Sequence, residues 1–188
     1  MATTGTNIRQ AMTNAGINFT YSQSGNATGS FDAILAVIGE SPYAEGAGDR
    51  HGNTGTNGYA VGAIPVRNGA QSATWQPPGN QNTATQNASA QGRFNDQALL
   101  NNINTYRTAN PGVPVIVIIL SSRPMSIQNY VDNWDALVAG WLPGTEGGPA
   151  IVDVLFGEKD FVGKTAYTWR ETHNTGTVIF EYGHGLKK

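Results

Sequence analysis

An α/β fold, with a mostly parallel sheet and helices on both faces, is predicted by three features of this 188-residue chain. Residues 113–120 (VPVIVIIL) form a β-branched run, and residues 33–38 (AILAVI) form an unbroken apolar one. Both read as strands buried on two faces. Between and after them, apolar residues recur at helical spacing. Strand alternating with helix is the pattern of parallel βαβ units.

In chain order, Ile8, Ala11, Met12 and Ala15 fall on one face of a short amphipathic helix, with Thr4 or Thr6 as its cap and Gly16 as its stop. Residues 17–21 alternate weakly, as a further strand would, and residues 22–30 form a polar turn before strand 33–38. From residue 46 to residue 92 the composition shifts to Gly, Asn, Gln, Thr and Ala. Within that stretch residues 59–66 are a strand candidate, confined to a sheet edge by Pro65. The stretch reads as one large insertion in a single domain spanning residues 1–188, and such excursions are usually functional or mobile.

Asn95 or Asp96 caps the next helix, Leu99, Ile103 and Tyr106 mark its face, and Asn110-Pro111-Gly112 ends it. After strand 113–120, Ser121-Ser122-Arg123-Pro124 turns the chain. Ile127, Val131 and Trp134 give a helical face, and residues 135–141 give a further strand that stops at Pro143-Gly144. Pro149 suits a first helical position, with Ile151, Val154 and Leu155 as the buried stripe and Gly157 as the stop. Residues 164–169 and 177–180 are short terminal strands, and residues 182–186 form a turn-rich tail.

Composition excludes several classes of function. A hydrophobic fraction of 39% with 13% charged residues fits a globular core, and a net charge of -2 gives no basic footprint for nucleic acid or an anionic membrane. The longest apolar run is broken by Pro114 and falls far short of the roughly 20 residues that cross a bilayer, and the N-terminus has no apolar signal core. The absence of cysteine removes disulfides, thiolate metal sites and thiol nucleophiles. His51, His173 and His184 are scattered without zinc spacing, and there is no nucleophile elbow or phosphate loop, so no metal or cofactor is expected.

Candidate chemistry gathers where the first long strand breaks at Gly39 into a loop carrying Glu40, Glu45 and Asp49. A buried parallel strand that ends in a glycine-rich acidic loop is where open α/β sheets place ligands. The same composition also suits a solvated surface loop. Trp75 stands in the polar insertion. It either stacks on a sugar ring, with Tyr43 and Tyr59 widening the platform, or pins the insertion to the body.

Several motifs resemble one family in the right order. They are Gly-Glu-Ser-Pro-Tyr-Ala-Glu-Gly-Ala-Gly-Asp (39–49), VIVIILSSRP (115–124), DALVAGWLPGTEGG (135–148), DVLFG (153–157), Gly163-Lys164, Thr168-Trp169 and FEYGHGL (180–186). Together they resemble the C-terminal α/β domain of glycoside hydrolase family 3, the β-glucosidases and exo-β-glucanases. They cover nearly the whole chain outside the insertion.

The resemblance implies a three-layer sandwich around a six-stranded, mostly parallel sheet. It implies that Glu45 is the general acid/base of a retaining glycosidase, acting on a β-linked gluco-oligosaccharide. Tyr43, Trp75, Glu40, Asp49 and Arg123 are the accompanying candidates for substrate binding. Glu40 has a competing role in holding the loop backbone or pairing with Arg123 or Arg50, Asp49 in ordering the loop, and Arg123 in anchoring it. In the family the nucleophilic aspartate lies on a preceding TIM barrel. The chain begins just before the C-terminal domain's first helix, so the barrel is expected in cis or in trans, and the chain alone is expected to be inactive. Parent enzymes of this type are often secreted or periplasmic. The alternative reading is a free-standing carbohydrate-binding or partner-binding module without catalysis.

Overall fold

The computed structural model describes residues 5–39, 96–121, 124–125, 127–172 and 175–186. The element order is α1 (Ile8–Asn14), β1 (Ile34–Gly39), α2 (Asp96–Ala109), β2 (Val115–Leu120), β3 (Ala136–Ala139), α3 (Gly147–Leu155), β4 (Trp169–Thr172) and β5 (Thr175–Phe180), with a one-turn 3-10 helix at Val131–Asn133.

The two apolar runs form neighbouring strands, as their composition requires. β1 pairs in parallel with β2, register Ile34 to Val115 through Gly39 to Leu120, and β2 pairs in parallel with β3. Strand alternation sends Ala36, Ile38, Val115, Val117 and Ile119 to one face, where Leu100 and Ile103 of α2 pack on them. Ile118, of opposite parity, is fully buried on the other face. Val115, Val117 and Ile118 are wholly removed from water, so the β-branched run is the centre of the core. At roughly 25 cal/mol per Å² of apolar surface, each such side chain contributes on the order of 2 kcal/mol.

The amino edge of the sheet is locked by Asp135. Its Oδ2 accepts the Val115 N–H at 2.8 Å and its Oδ1 lies 3.2 Å from Arg107 near the end of α2. Arg107 also donates to the Asn133 carbonyl. α1 and α3 meet at their N-termini: Thr6 N–H donates to the Thr145 carbonyl at 3.0 Å, and a side chain at Gly148 would strike the backbone of Thr6 and Asn7.

Among the described residues the sheet has three parallel strands, accompanied by a separate antiparallel β4–β5 pair. Several local expectations need correction. The cap of α1 is Asn7, whose Oδ1 accepts the Gln10 N–H at 2.8 Å. Thr6 instead uses its backbone against Thr145, and Thr4 lies outside the described residues. Residues 17–21 form no strand, and among the described residues no sheet neighbour pairs with them; Tyr21 lies exposed under the Arg9 guanidinium, 4.5 Å from the ring centre.

The face of Ile127, Val131 and Trp134 packs on the core but makes only the 3-10 turn, with the Ile127 carbonyl accepting from both Tyr130 and Val131. Asn129, Asp132 and Asn133 favour turns over helix continuation there. In α3 the most buried apolar residues are Ile151 and Val152. Val154 and Leu155 of the expected stripe are both half-buried. α3 begins at Gly147, so Pro149 is its third residue. Of residues 164–169 only Trp169 is in a strand, whereas 177–180 falls within β5. Gly16 (φ 70) and Gly157 (φ 88) follow α1 and α3 as expected stops. The strand candidate at 59–66 lies outside the described residues.

Candidate functional site at the carboxyl edge of the parallel sheet

Three parallel strands end side by side at Gly39, Leu120 and Ala139, and the residues just past these ends build the candidate site. This is the edge at which open α/β sheets bind ligands, because every βα loop emerges there.

The Gly39 end is held on two sides. A Cβ at Gly39 would collide with the Leu120 carbonyl oxygen, so only glycine lets β1 lie this close to β2 at its last residue. On the other side, the Gly39 N–H donates to Asp96 Oδ2 at 3.0 Å. Asp96, expected as a cap, is the first residue of α2, is 2% exposed and turns its side chain to the strand end. Burial pushes its carboxyl up from 3.8 to about 6, although the Gly39 amide favours the charged form. Beyond β2, Ser121 is likewise buried at 2% exposure.

The β3 end carries backbone strain and an aromatic chain. Trp141, two residues past β3, has φ 51, left-handed geometry that costs a bulky side chain on the order of 1 kcal/mol. Its ring is held between Trp169, 5.8 Å between centroids, and the exposed Tyr167 at 6.4 Å. Trp169 in turn meets Phe180 nearly edge-on at 6.0 Å, and Phe180 meets His184 at 4.9 Å. Trp169 is 1% exposed, and its indole N–H donates to the Met125 carbonyl at 2.7 Å, which bolts the β4–β5 pair to the chain just past β2. Thr165 N–H to the His184 carbonyl and Gly183 N–H to the Thr165 carbonyl, both 2.8 Å, hold the tail against the segment before β4. Trp169 is thus part of the core, and Trp141, the less buried of the two, packs against it.

Glu45, Tyr43, Trp75, Glu40, Asp49 and Arg123 all lie outside the described residues. The described chain meets them at its edges: Gly39 immediately precedes Glu40, and Pro124 immediately follows Arg123. Sequence reasoning missed the part played by Asp96. An acidic residue opening a helix reads as a cap, and nothing local says that it reaches a strand end 57 positions away. It also missed the left-handed turn at Trp141, which comes after Gly140 with no signal of its own. Among the described residues no cluster of three or more His, Cys, Asp or Glu can hold a metal ion. No helix among them is long and apolar enough to cross a membrane.

Relatives of this chain are named as glycosidases. A segment of 73 residues is 33% identical to the periplasmic β-glucosidase of Salmonella typhimurium, covering 39% of this chain and 9% of that protein. A segment of 76 residues is 35% identical to a probable β-glucosidase E of Aspergillus oryzae, covering 39% of this chain and 7% of that protein. A third, of 58 residues, is 40% identical to a xylan 1,4-β-xylosidase of Xylanibacter ruminicola, covering 31% of this chain and 7% of that protein. The matched segments thus span less than a tenth of each of these relatives. The model of the glycosyl hydrolase family 3 C-terminal domain matches residues 1–188. With that match over its full length, and with an α/β core whose three parallel strands end at one edge, the chain belongs to the family of glycosyl hydrolase family 3 C-terminal domains.

Proposed function

We propose that this chain supplies the general acid/base, Glu45, to a retaining β-glucosidase or exo-β-glucanase whose nucleophile lies on a TIM-barrel domain, joined in cis or in trans. The observation that supports this reading is the exit of β1: Gly39, held between Leu120 and Asp96 at the carboxyl edge, opens the Gly-Glu-Ser-Pro-Tyr-Ala-Glu motif that ends in Glu45. Membership of the family and the names of the β-glucosidase relatives point the same way.

In this mechanism Glu45, protonated, gives its proton to the glycosidic oxygen as the barrel's carboxylate attacks the anomeric carbon. The sugar is left covalently attached to that carboxylate, and the aglycone departs as an alcohol. Glu45, now ionised, takes a proton from the water that attacks the intermediate and returns to its starting state. The substrate is a β-linked gluco-oligosaccharide. Tyr43 and Trp75 offer stacking surfaces to the departing sugar, and Glu40, Asp49 and Arg123 offer polar contacts or order the loop. The three parallel strands form part of a six-stranded sheet between helices, with residues 46–92 as an insertion.

The reading makes a distinctive demand on Glu45→Gln in the barrel-containing assembly. Hydrolysis of cellobiose, whose leaving group needs a proton, should fall by roughly 10²–10⁴-fold. Release of dinitrophenol from its β-glucoside, which needs none, should be largely preserved in the first turnover. Equal losses on both substrates, or no loss on cellobiose, would contradict the assignment. The chain without a barrel should bind β-glucosides weakly and turn them over negligibly. Turnover by the chain alone that disappears in Glu45→Gln would show that it needs no partner.

A further inference from the structure

Gly39 ends β1 and Asp96 opens α2, so the two residues flank the intervening segment on either side. The hydrogen bond between Asp96 Oδ2 and the Gly39 N–H therefore joins its two stems directly, across 57 positions of sequence. Gly39 cannot slide away from this contact, because its backbone already lies against the Leu120 carbonyl and is registered opposite Leu120. The carboxylate sits in a costly place, at 2% exposure. A carboxylate at the start of a helix would serve the backbone dipole equally well in water. Inside the protein it does something a solvated one would not: it holds one particular donor in a fixed direction.

We propose that Asp96 is a positioning residue, which clasps the two stems at Gly39 and so fixes the point and direction from which the Glu45-bearing chain leaves the sheet. This rests on the reading of Glu45 as acid/base. Asp96 does not touch the substrate. It acts through Gly39, the residue that immediately precedes the Glu45-bearing motif. Misplacement of a catalytic group by about 1 Å costs on the order of 10²-fold in rate.

Two measurements decide the matter separately. In the unmodified chain, a through-bond NMR coupling between the Gly39 amide nitrogen and the Asp96 carboxyl carbon reports the clasp itself. It should be present, and its absence would overturn the proposal whatever the enzyme does. In the assembly with the barrel, Asp96→Ala should lower kcat for cellobiose by about tenfold or more with KM nearly unchanged. Here kcat is taken per active site, counted by titrating the barrel nucleophile with an activated fluoroglucoside, because loss of folded protein alone would also lower apparent kcat at constant KM. Asp96→Asn keeps an oxygen acceptor for Gly39 and should restore most of that loss. Should Asp96→Ala fail to fold, Asp96→Glu, which shifts the carboxylate by one methylene, takes its place with the same expectation. Full kcat in either displaced variant, or no rescue by asparagine, would overturn the positioning role. Cellobiose hydrolysis that survives Glu45→Gln would instead overturn the acid/base reading, a result distinct from loss of the coupling.

Discussion

Asp96→Asn should change how the stability of this domain depends on pH, and the size of the change can be worked out from the site. Burial raises the carboxyl from 3.8 to about 6 in the folded chain. Between those values the native state binds more protons than the unfolded state, so stability falls as pH rises. The contribution is fully present below about pH 4 and is lost as pH passes about 6. Its full amplitude is about 3 kcal/mol, and most of it falls between about pH 4 and pH 7. Asparagine has a nearly identical shape, does not titrate and still offers an oxygen to the Gly39 N–H. Urea unfolding of both proteins at several pH values isolates the effect, because every other titrating group is shared. The stability of the asparagine variant relative to the native chain should rise by about 2 kcal/mol or more from pH 4 to pH 7. A difference that stays constant with pH would show that Asp96 ionises as freely in the folded chain as in the unfolded one.

The packing fixes two further outcomes. Trp169→Phe should cost about 2–4 kcal/mol in urea unfolding, because it opens a cavity and leaves the buried Met125 carbonyl without its indole donor; a loss below about 0.5 kcal/mol would refute that accounting. At the amino edge the two partners of one ion pair should differ. Arg107→Ala removes a half-exposed charge pair and should cost about 1 kcal/mol or less, whereas Asp135→Ala also strips the fully buried Val115 of its acceptor and should cost about 1–3 kcal/mol. Equal losses for the two would mean that the Val115 bond contributes no more than the bond Arg107 gives the Asn133 carbonyl.

The sheet was legible where composition leaves little choice. The β-branched 113–120 run can be buried only as a central strand, and it pairs with β1 on one side and β3 on the other. α2 was legible because Leu99, Ile103 and Tyr106 repeat at helical spacing over a long stretch. Short elements were not, for physical reasons. At Ile127, Val131 and Trp134 an apolar period spans only about two turns, so asparagine and aspartate decide the backbone in favour of a 3-10 turn. At α1 the cap lay one residue beyond the favoured threonine, because Thr6 spends its backbone amide on Thr145.

The candidate site divides in the same way. Glu45 and its companions were reachable only through the motif they form. Asp96 and Trp141 matter through contacts made across the fold. A carboxylate that reaches a distant strand end, or a tryptophan held left-handed between two aromatic rings, leaves no local trace in sequence.

The most direct measurement of the acid/base role uses azide, which needs no deprotonation to attack a glycosyl-enzyme. In the barrel-containing assembly, Glu45→Gly should stall after the first turnover of an activated aryl β-glucoside. Added azide should restore turnover and give β-glucosyl azide as product, the configuration that retention requires. If azide neither accelerates turnover nor appears in the product, Glu45 is not the acid/base and the account of this domain's chemistry fails.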